Sequence, residues 1–154
     1  MAIEFRHTIN VPQPPEKVFA LLADVAQTPK WLARCTGIEV LTPGALAVGS
    51  KLRYSYKEGS RTGVMDGQVT ERLENRKLDF LYEDKLMRVG VHFMTDPAES
   101  GSGAAAASGT RLTHAIDITP RTFFARLFSP LIRKQLPRQT IDAMESLRAL
   151  LARQ

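Results

Sequence analysis

Four side chains in this sequence could take part in chemistry on a small molecule, and each lies in a stretch that alternates like a β-strand. They are Tyr54, Tyr56, Tyr82 and His114. Alternate residues of a strand point to one face, and the neighbours of these four on that face are mostly large and apolar. A hydroxyl or imidazole in apolar surroundings needs a hydrogen-bond partner, which a polar group of a ligand can supply. The pattern therefore indicates polar atoms on an apolar face.

Each of these residues also has a structural interpretation, and the sequence leaves both open. His114 titrates near neutrality in its ordinary form, so it could serve as a general acid or base in a cyclisation or dehydration. It could also be a core histidine with protein partners, and the tyrosines could be core rings whose hydroxyls reach solvent at the sheet margin. We expect His92 to point to the opposite face and His7 to be structural.

The sequence holds none of the common signatures of a metal, nucleotide or nucleophile enzyme. One cysteine and three scattered histidines cannot form a zinc site of the usual spacing. Gly101-Ser-Gly is followed by no GK[ST] and stands in no strand–helix setting, and no G-x-S-x-G turn is present. We therefore predict no metal site and no cofactor.

Strand-like alternation covers most of the chain before residue 120. Predicted strands run over 3–11, 38–41, 52–57, 62–73, 78–83, 87–93 and 110–119, and two short helices over 15–24 and 29–34 follow the first strand. Short connections predict an antiparallel sheet. Gly63 and Gly67 within one strand predict bulges or a sharp bend. The glycine- and alanine-rich stretch 96–109 predicts a flexible loop, with nothing to show whether it acts as a lid.

The last 35 residues hold the only long stretch with a helical apolar period. Its stripe consists of Ile132, Leu136, Ala143, Met144, Leu147, Leu150 and Leu151. Ser129-Pro130 predicts a helix start with Ser129 as N-cap, after a separate apolar turn at Phe123, Phe124, Leu127 and Phe128. A long stripe needs a broad apolar partner, and everything upstream is sheet. We predict one α+β domain over 1–154, in which a curved sheet of about six or seven strands wraps around this helix.

Composition places the chain among ordinary globular proteins. No apolar run approaches the roughly 20 residues of a membrane-spanning helix. The N-terminus lacks the apolar core of a signal peptide, and the single cysteine, Cys35, cannot form an internal disulfide. We therefore expect a cytoplasmic protein.

The net charge of +5 is concentrated at the C-terminus. From Arg121 onward there are seven basic and two acidic residues. A solvated helix face is the plain interpretation. The alternative is a surface that contacts an anionic membrane or partner through Arg126, Arg133, Lys134 and Arg138. Nucleic acid is not expected, because no aromatic residues interleave with these charges as a stacking surface.

Two segments resemble the START-like (SRPBCC) superfamily, which includes polyketide cyclases/dehydrases, birch-pollen-allergen-type proteins and bacterial lipid- or quinone-binding proteins. They are PPEKVFALLAD at 14–24 with Trp31 after it, and VTERLENRKLDF at 69–80. The resemblance covers almost the whole chain and implies a helix-grip fold. In that family the space between sheet and helix holds an apolar or aromatic small molecule. These motifs describe the fold and not the chemistry, so function must be argued from the site.

The alternation and this resemblance together give a candidate lining for such a space. It comprises Trp31, Tyr54, Tyr56, Met65, Phe80, Tyr82, Val91, Phe93, His114, Arg133 and Leu136. Trp31 could instead be core, and Arg133 could either reach solvent or bind a carboxylate or phosphate at the mouth.

Three functions follow, in this order. The first is binding or transport of a lipid, quinone or polyketide-like molecule. The second is a cyclase/dehydrase-type enzyme that uses His114, and the third is a protein–protein interaction module. The position of His114 relative to a cavity discriminates between the first two, and a solid interior combined with a large exposed apolar patch would favour the third. The sequence does not set the oligomeric state.

Overall fold

The structure, a computed structural model, describes residues 2–97 and 109–153. Seven antiparallel strands form one curved, open sheet in the order β1-β7-β6-β5-β4-β3-β2. Their bounds are β1 Ile3–Val11, β2 Cys35–Val40, β3 Lys51–Glu58, β4 Arg61–Leu73, β5 Lys77–Glu83, β6 Met87–Pro97 and β7 Thr110–Pro120. The predicted helix-grip architecture and antiparallel pairing are confirmed. Most of the predicted loop 96–109, namely residues 98–108, lies outside the described residues.

The helices follow the predicted order, with two local differences. α1 spans Pro15–Ala23, a 3-10 helix spans Val25–Lys30, α2 spans Phe123–Leu127 and α3 spans Ser129–Ala152. Trp31 follows the 3-10 helix instead of lying within a helix, and its backbone N–H donates to the carbonyl of Thr28. Ser129 is not the N-cap, because Phe128 holds that position and Ser129 is already helical. The hydroxyl that caps a helix here is that of Thr122, which accepts from the Ala125 N–H at the start of α2.

Helix α3 closes the concave side of the sheet. Its buried residues are Leu136, Thr140, Ala143, Met144, Leu147 and Leu151. The C-terminal half joins the main core with β1, α1 and the central strands. Leu136 instead packs in a smaller cluster with Ile3, Ile116 and Ile118. The helix continues through Pro137, and its apolar stripe is divided between two clusters.

The two glycines of β4 make room for tyrosine rings. Gly63 pairs with Tyr56 and Gly67 with Tyr82 in regular antiparallel register. A Cβ added to either glycine would overlap the ring of its partner. The predicted bulges at these positions are wrong, since the register shift of this strand falls between Val69 and Glu71. Glycine is required here by a side chain on the neighbouring strand and not by the backbone of its own strand.

His92 lies on the face opposite the helix, as expected, and joins two carboxylates from neighbouring strands. Its Nε2 is 2.8 Å from Oδ2 of Asp117, and its Nδ1 is 3.1 Å from Oδ2 of Asp79. Burial alone would lower the pKa of His92, but the contacts with Asp117 and Asp79 outweigh it and raise the pKa above its ordinary value. The imidazolium therefore links β5, β6 and β7 on the outer face.

We expect Gly67→Ala to lower the free energy of unfolding by about 1–3 kcal/mol, the usual cost of an extra methyl group in a filled site. Gly37→Ala is the matched control, because no atom lies within 4 Å of the Cβ it would add. Urea denaturation measures both. Equal stabilities of the two variants would contradict the packing of Tyr82 on Gly67.

We expect the stabilising effect of His92 to depend on pH in one direction. A raised folded-state pKa means that this contribution is fully present below the ordinary histidine pKa and is lost as pH rises through the folded value. The difference in unfolding free energy between the wild type and His92→Gln should therefore be larger in mildly acidic than in alkaline buffer. A difference that does not change with pH would rule out the charged link between the strands.

Candidate functional site

A cavity of about 380 Å³ lies between the concave face of the sheet and the helices. Its walls come from the central strands, from α1 and the 3-10 helix, and from α2 with the first turns of α3. The volume falls within the range of small-molecule sites in proteins, roughly 300–1,000 Å³. Members of both core clusters contribute to the wall.

Most of the predicted lining residues meet at this cavity. Those that line it are Trp31, Tyr54, Tyr56, Met65, Phe80, Tyr82, Val91, Phe93 and His114. The strand register brings them together, because Tyr54 pairs with Met65, Phe80 with Val91 and Phe93 with His114. Residues paired across antiparallel strands point to the same face, so one face carries the whole set.

Arg133 and Leu136 do not line the cavity. Leu136 is buried in the smaller cluster, and Arg133 is exposed. The side of α3 that faces the cavity carries Leu131, Ile132, Gln135 and Gln139. Successive residues of an α-helix are about 100° apart. Leu136 is therefore turned from this side toward the sheet, and Arg133 is turned toward solvent.

An aromatic wall runs across four strands of the cavity. Ring centroids are 4.9 Å apart for Tyr54 and Tyr82, and 5.8 Å apart for Tyr82 and Phe80. Phe93 continues the row at 6.4 Å from Phe80, and the imidazole of His114 stacks on Phe93 at 4.4 Å. Aromatic rings in offset-stacked or edge-to-face contact at such distances attract one another. The wall offers flat apolar surface with a polar group at its β7 end.

His114 is the most unusual group in the site. It is only 3% exposed, and neither ring nitrogen has a hydrogen-bond partner among the described residues. Burial, assisted by the positive charges of His92 and Arg34, lowers the pKa of His114 to about 3. The imidazole is therefore neutral at physiological pH, with one N–H donor and one nitrogen acceptor. Leaving such atoms unsatisfied costs about 1–3 kcal/mol per group.

Trp31, which also lines the cavity, carries a second unsatisfied group. Its indole Nε1 is buried and has no hydrogen-bond partner among the described residues. Its ring meets Phe93 edge-on at 6.0 Å, so Trp31 and His114 both contact the same phenylalanine. Two neighbouring residues of a mostly apolar wall thus carry two unsatisfied donors and one unsatisfied acceptor between them.

The buried tyrosines differ from the two groups just described. Tyr54 and Tyr82 are 8% and 5% exposed. Burial raises the pKa of both phenols well above the ordinary value, and both are neutral. Tyr54 also has a hydrogen bond with the thiol of Cys35. Its hydroxyl is therefore partly satisfied by the protein.

Exposed residues mark where the cavity opens. Phe124, Phe128 and Leu131 line it and are also largely exposed. The ion pair between Arg34 and Glu58, 3.1 Å long, also lines the cavity at the sheet side. The prediction from sequence identified the apolar turn 123–128 but did not assign it to the site. The four-residue spacing of 131, 135 and 139 was the signal for the cavity-facing side of α3.

Within residues 2–97 and 109–153, no group of three or more His, Cys, Asp or Glu side chains is arranged to hold a metal ion. No helix in the same ranges combines the length and apolar character needed to span a bilayer.

Solved structures with the same fold share little sequence with this chain. A START superfamily protein from Mycobacterium smegmatis superposes with a TM-score of 0.77 at 15% identity, covering 97% of each chain. The ZhuI aromatase/cyclase from Streptomyces sp. R1128 gives 0.78 at 14% identity, covering 99% of this chain and 95% of that one. A protein from Thermus thermophilus gives 0.72 at 18% identity, covering 97% of both. At these identities the likeness establishes the fold alone.

Sequence comparison identifies the family of the chain, which the individual structures do not. No curated protein matches the chain significantly. The sequence profile of the family described as polyketide cyclase/dehydrase and lipid transport matches residues 2–152. That match covers almost the whole chain and confirms the resemblance inferred from the motifs at 14–24 and 69–80. The chain therefore belongs to the polyketide cyclase/dehydrase and lipid transport family.

Proposed function

We propose that this protein binds an apolar or aromatic small molecule in the cavity, with a polar end of the ligand against His114 and Trp31. The observation that carries the proposal is the set of unsatisfied buried nitrogens in a wall that is otherwise mostly apolar. A ligand hydroxyl can accept from an N–H and donate to the free imidazole nitrogen. Binding would then relieve a desolvation cost that the folded protein already bears.

The remaining wall sets the shape of the ligand. The aromatic row from Tyr54 to Phe93 favours flat or ring-containing molecules that can stack on it. The apolar end of the ligand would lie at the opening, in contact with the largely exposed Phe124, Phe128 and Leu131. A phenol or hydroxylated ring system with an apolar body fits this distribution. Binding and transport of such a molecule require no catalytic group in addition to this wall.

An enzyme of the cyclase/dehydrase type is the second candidate. It is favoured by the family and by the fold shared with an aromatase/cyclase from Streptomyces. His114 would have to move a proton in that reaction. With its pKa lowered to about 3, His114 is not an imidazolium at neutral pH and so cannot act as a general acid, and its free nitrogen is a weak base. We therefore rank binding above catalysis. We rank the interaction module last, because a solid interior was expected for it and the protein has a cavity.

We expect His114→Phe to weaken binding of 2-naphthol by about 2- to 12-fold, the value of one hydrogen bond of roughly 0.5–1.5 kcal/mol. Binding of naphthalene, which has no hydroxyl, should be unchanged or tighter, because phenylalanine keeps the stacking on Phe93. Ligand fluorescence titration measures both affinities. His92→Gln is the matched control, since His92 lies on the opposite face of the sheet against Asp79 and Asp117.

Two outcomes would refute the proposed site. One is that neither ring compound binds the wild-type protein. The other is that His114→Phe weakens both compounds equally, which would indicate a general loss of packing and not the loss of a hydrogen bond.

We expect the affinity for 2-naphthol to be constant between pH 5 and pH 8. The reason is that His114, with a pKa of about 3, stays neutral over this range. The same titrations at several pH values measure it. A fall in affinity as pH drops through the ordinary histidine pKa, present in the wild type and absent in His114→Phe, would show that His114 titrates in the site and would revive the acid–base alternative.

A further inference from the structure

The opening of the cavity is surrounded by an exposed apolar surface. This surface, the mouth patch, consists of Phe123, Phe124, Leu127, Phe128 and Leu131. Each of these side chains is between 51% and 72% exposed. Their spacing places them on one side of α2 and the first turn of α3. Clusters of large exposed apolar residues on a protein surface mark contact sites for other molecules.

The same segment carries a basic surface. Arg126, Arg133, Lys134 and Arg138 are all exposed. The sequence holds no acidic residue between Asp117 and Asp142. A basic surface next to an exposed apolar patch is typical of segments that lie in the interface of an anionic bilayer.

Acidic groups near the opening belong to the sheet, and they are engaged. Glu58 pairs with Arg34, and Glu83 pairs with Arg88 at 3.2 Å. The carboxylate of Asp84 accepts from the backbone N–H groups of Leu86 and Met87 at 2.8 Å. The segment 118–141 itself carries basic residues and no acidic ones, so its own charge is positive.

We propose that the mouth patch docks on the surface of an anionic phospholipid bilayer. Apolar side chains would enter the boundary between headgroups and acyl chains, while the four basic residues contact lipid phosphates. A second copy of the chain is a poorer occupant. In a two-fold dimer the same surface faces itself, so the basic residues of one copy would lie against those of the other. A bilayer matches both the apolar and the charged part of the surface.

Docking in this orientation brings the cavity opening against the membrane. Phe124, Phe128 and Leu131 belong both to the cavity wall and to the mouth patch. An apolar ligand could pass between bilayer and cavity without crossing bulk water. This consequence rests on the proposed function, whereas docking itself does not.

The test is cosedimentation of the purified full chain with phosphatidylcholine vesicles that contain phosphatidylglycerol, compared with vesicles of phosphatidylcholine alone. We expect stronger binding to the anionic vesicles, weakened by added salt. The double variant Phe123→Ser/Leu127→Ser should weaken binding about ten-fold or more, because two exposed apolar side chains are lost. Neither residue lines the cavity. Arg126→Gln/Lys134→Gln should weaken it about ten-fold and reduce the salt dependence.

Matched controls remove the same kind of group elsewhere. Val48→Ser/Leu73→Ser removes two exposed apolar side chains, and Arg6→Gln/Lys51→Gln removes two exposed charges from β1 and β3. Both controls should bind vesicles like the wild type. Circular dichroism verifies that every variant is folded.

Three results would overturn the proposal. They are equal binding to both kinds of vesicle, equal losses in the test and control variants, and a concentration-dependent dimer that Phe123→Ser/Leu127→Ser abolishes while vesicles bind no variant. The affinity of this variant for 2-naphthol separates docking from the proposed function. If this variant loses vesicle binding but keeps its affinity for 2-naphthol, the result supports docking and leaves the cavity site unaffected. If the wild-type protein does not bind 2-naphthol, the proposed cavity ligand is refuted, and the vesicle results still decide the docking proposal.

Discussion

The cross-strand register of the sheet is the constraint on which the site depends. Because Tyr54 faces Met65, and Phe93 faces His114, one side of the sheet becomes a continuous aromatic and apolar wall. A shift of one residue in any pair would turn those side chains to the outer face. The rings of Tyr56 and Tyr82 are accommodated only because glycine lies opposite each of them. Register and glycine placement together position the aromatic row.

The helix over this wall does not fill the space beneath it. The C-terminal half of α3 packs tightly through Met144, Leu147 and Leu151, which are fully buried. The first turns face the sheet with Leu131, Ile132, Gln135 and Gln139, and the cavity lies between. Core packing and the border of the cavity are thus divided along one helix. The packed half stabilises the fold, so the other half can border a ligand while the main core stays packed.

Unpaired polar atoms in the cavity wall carry a free-energy cost that the proposed ligand would relieve. Buried polar groups in proteins are nearly always hydrogen-bonded, so unsatisfied nitrogens on both His114 and Trp31 are uncommon. The burial that leaves these atoms unpaired also keeps His114 neutral. A histidine in this condition is suited to recognising a hydroxyl and poorly suited to proton transfer. His92, on the opposite face of the same sheet, has the opposite character because two carboxylates surround it.

Local sequence determined the period of each element, the face on which each strand residue lies and the chain order of the fold. That was enough to bring nine predicted residues, from Trp31 to His114, to one cavity. The sequence predicted Arg133 and Leu136 at the cavity, because its pattern does not show which side of α3 faces the cavity. Arg133 follows the cavity-lining Ile132, and Leu136 follows the cavity-lining Gln135, each by about 100° around the helix. The sequence also could not show that Gly63 and Gly67 accommodate rings, since those rings belong to other strands.

Only the tertiary structure decided which apolar residues are buried. Phe19 and Phe124 look alike in sequence, each within a short apolar helix, yet Phe19 is 2% exposed and Phe124 is 70% exposed. Burial depends on what packs against a segment from elsewhere in the chain, and no local pattern contains that information. The cavity, its unsatisfied nitrogens and the exposed mouth patch all arise from such distant contacts. The sequence by itself therefore determined the framework of this protein, and long-range packing decided its functional surfaces.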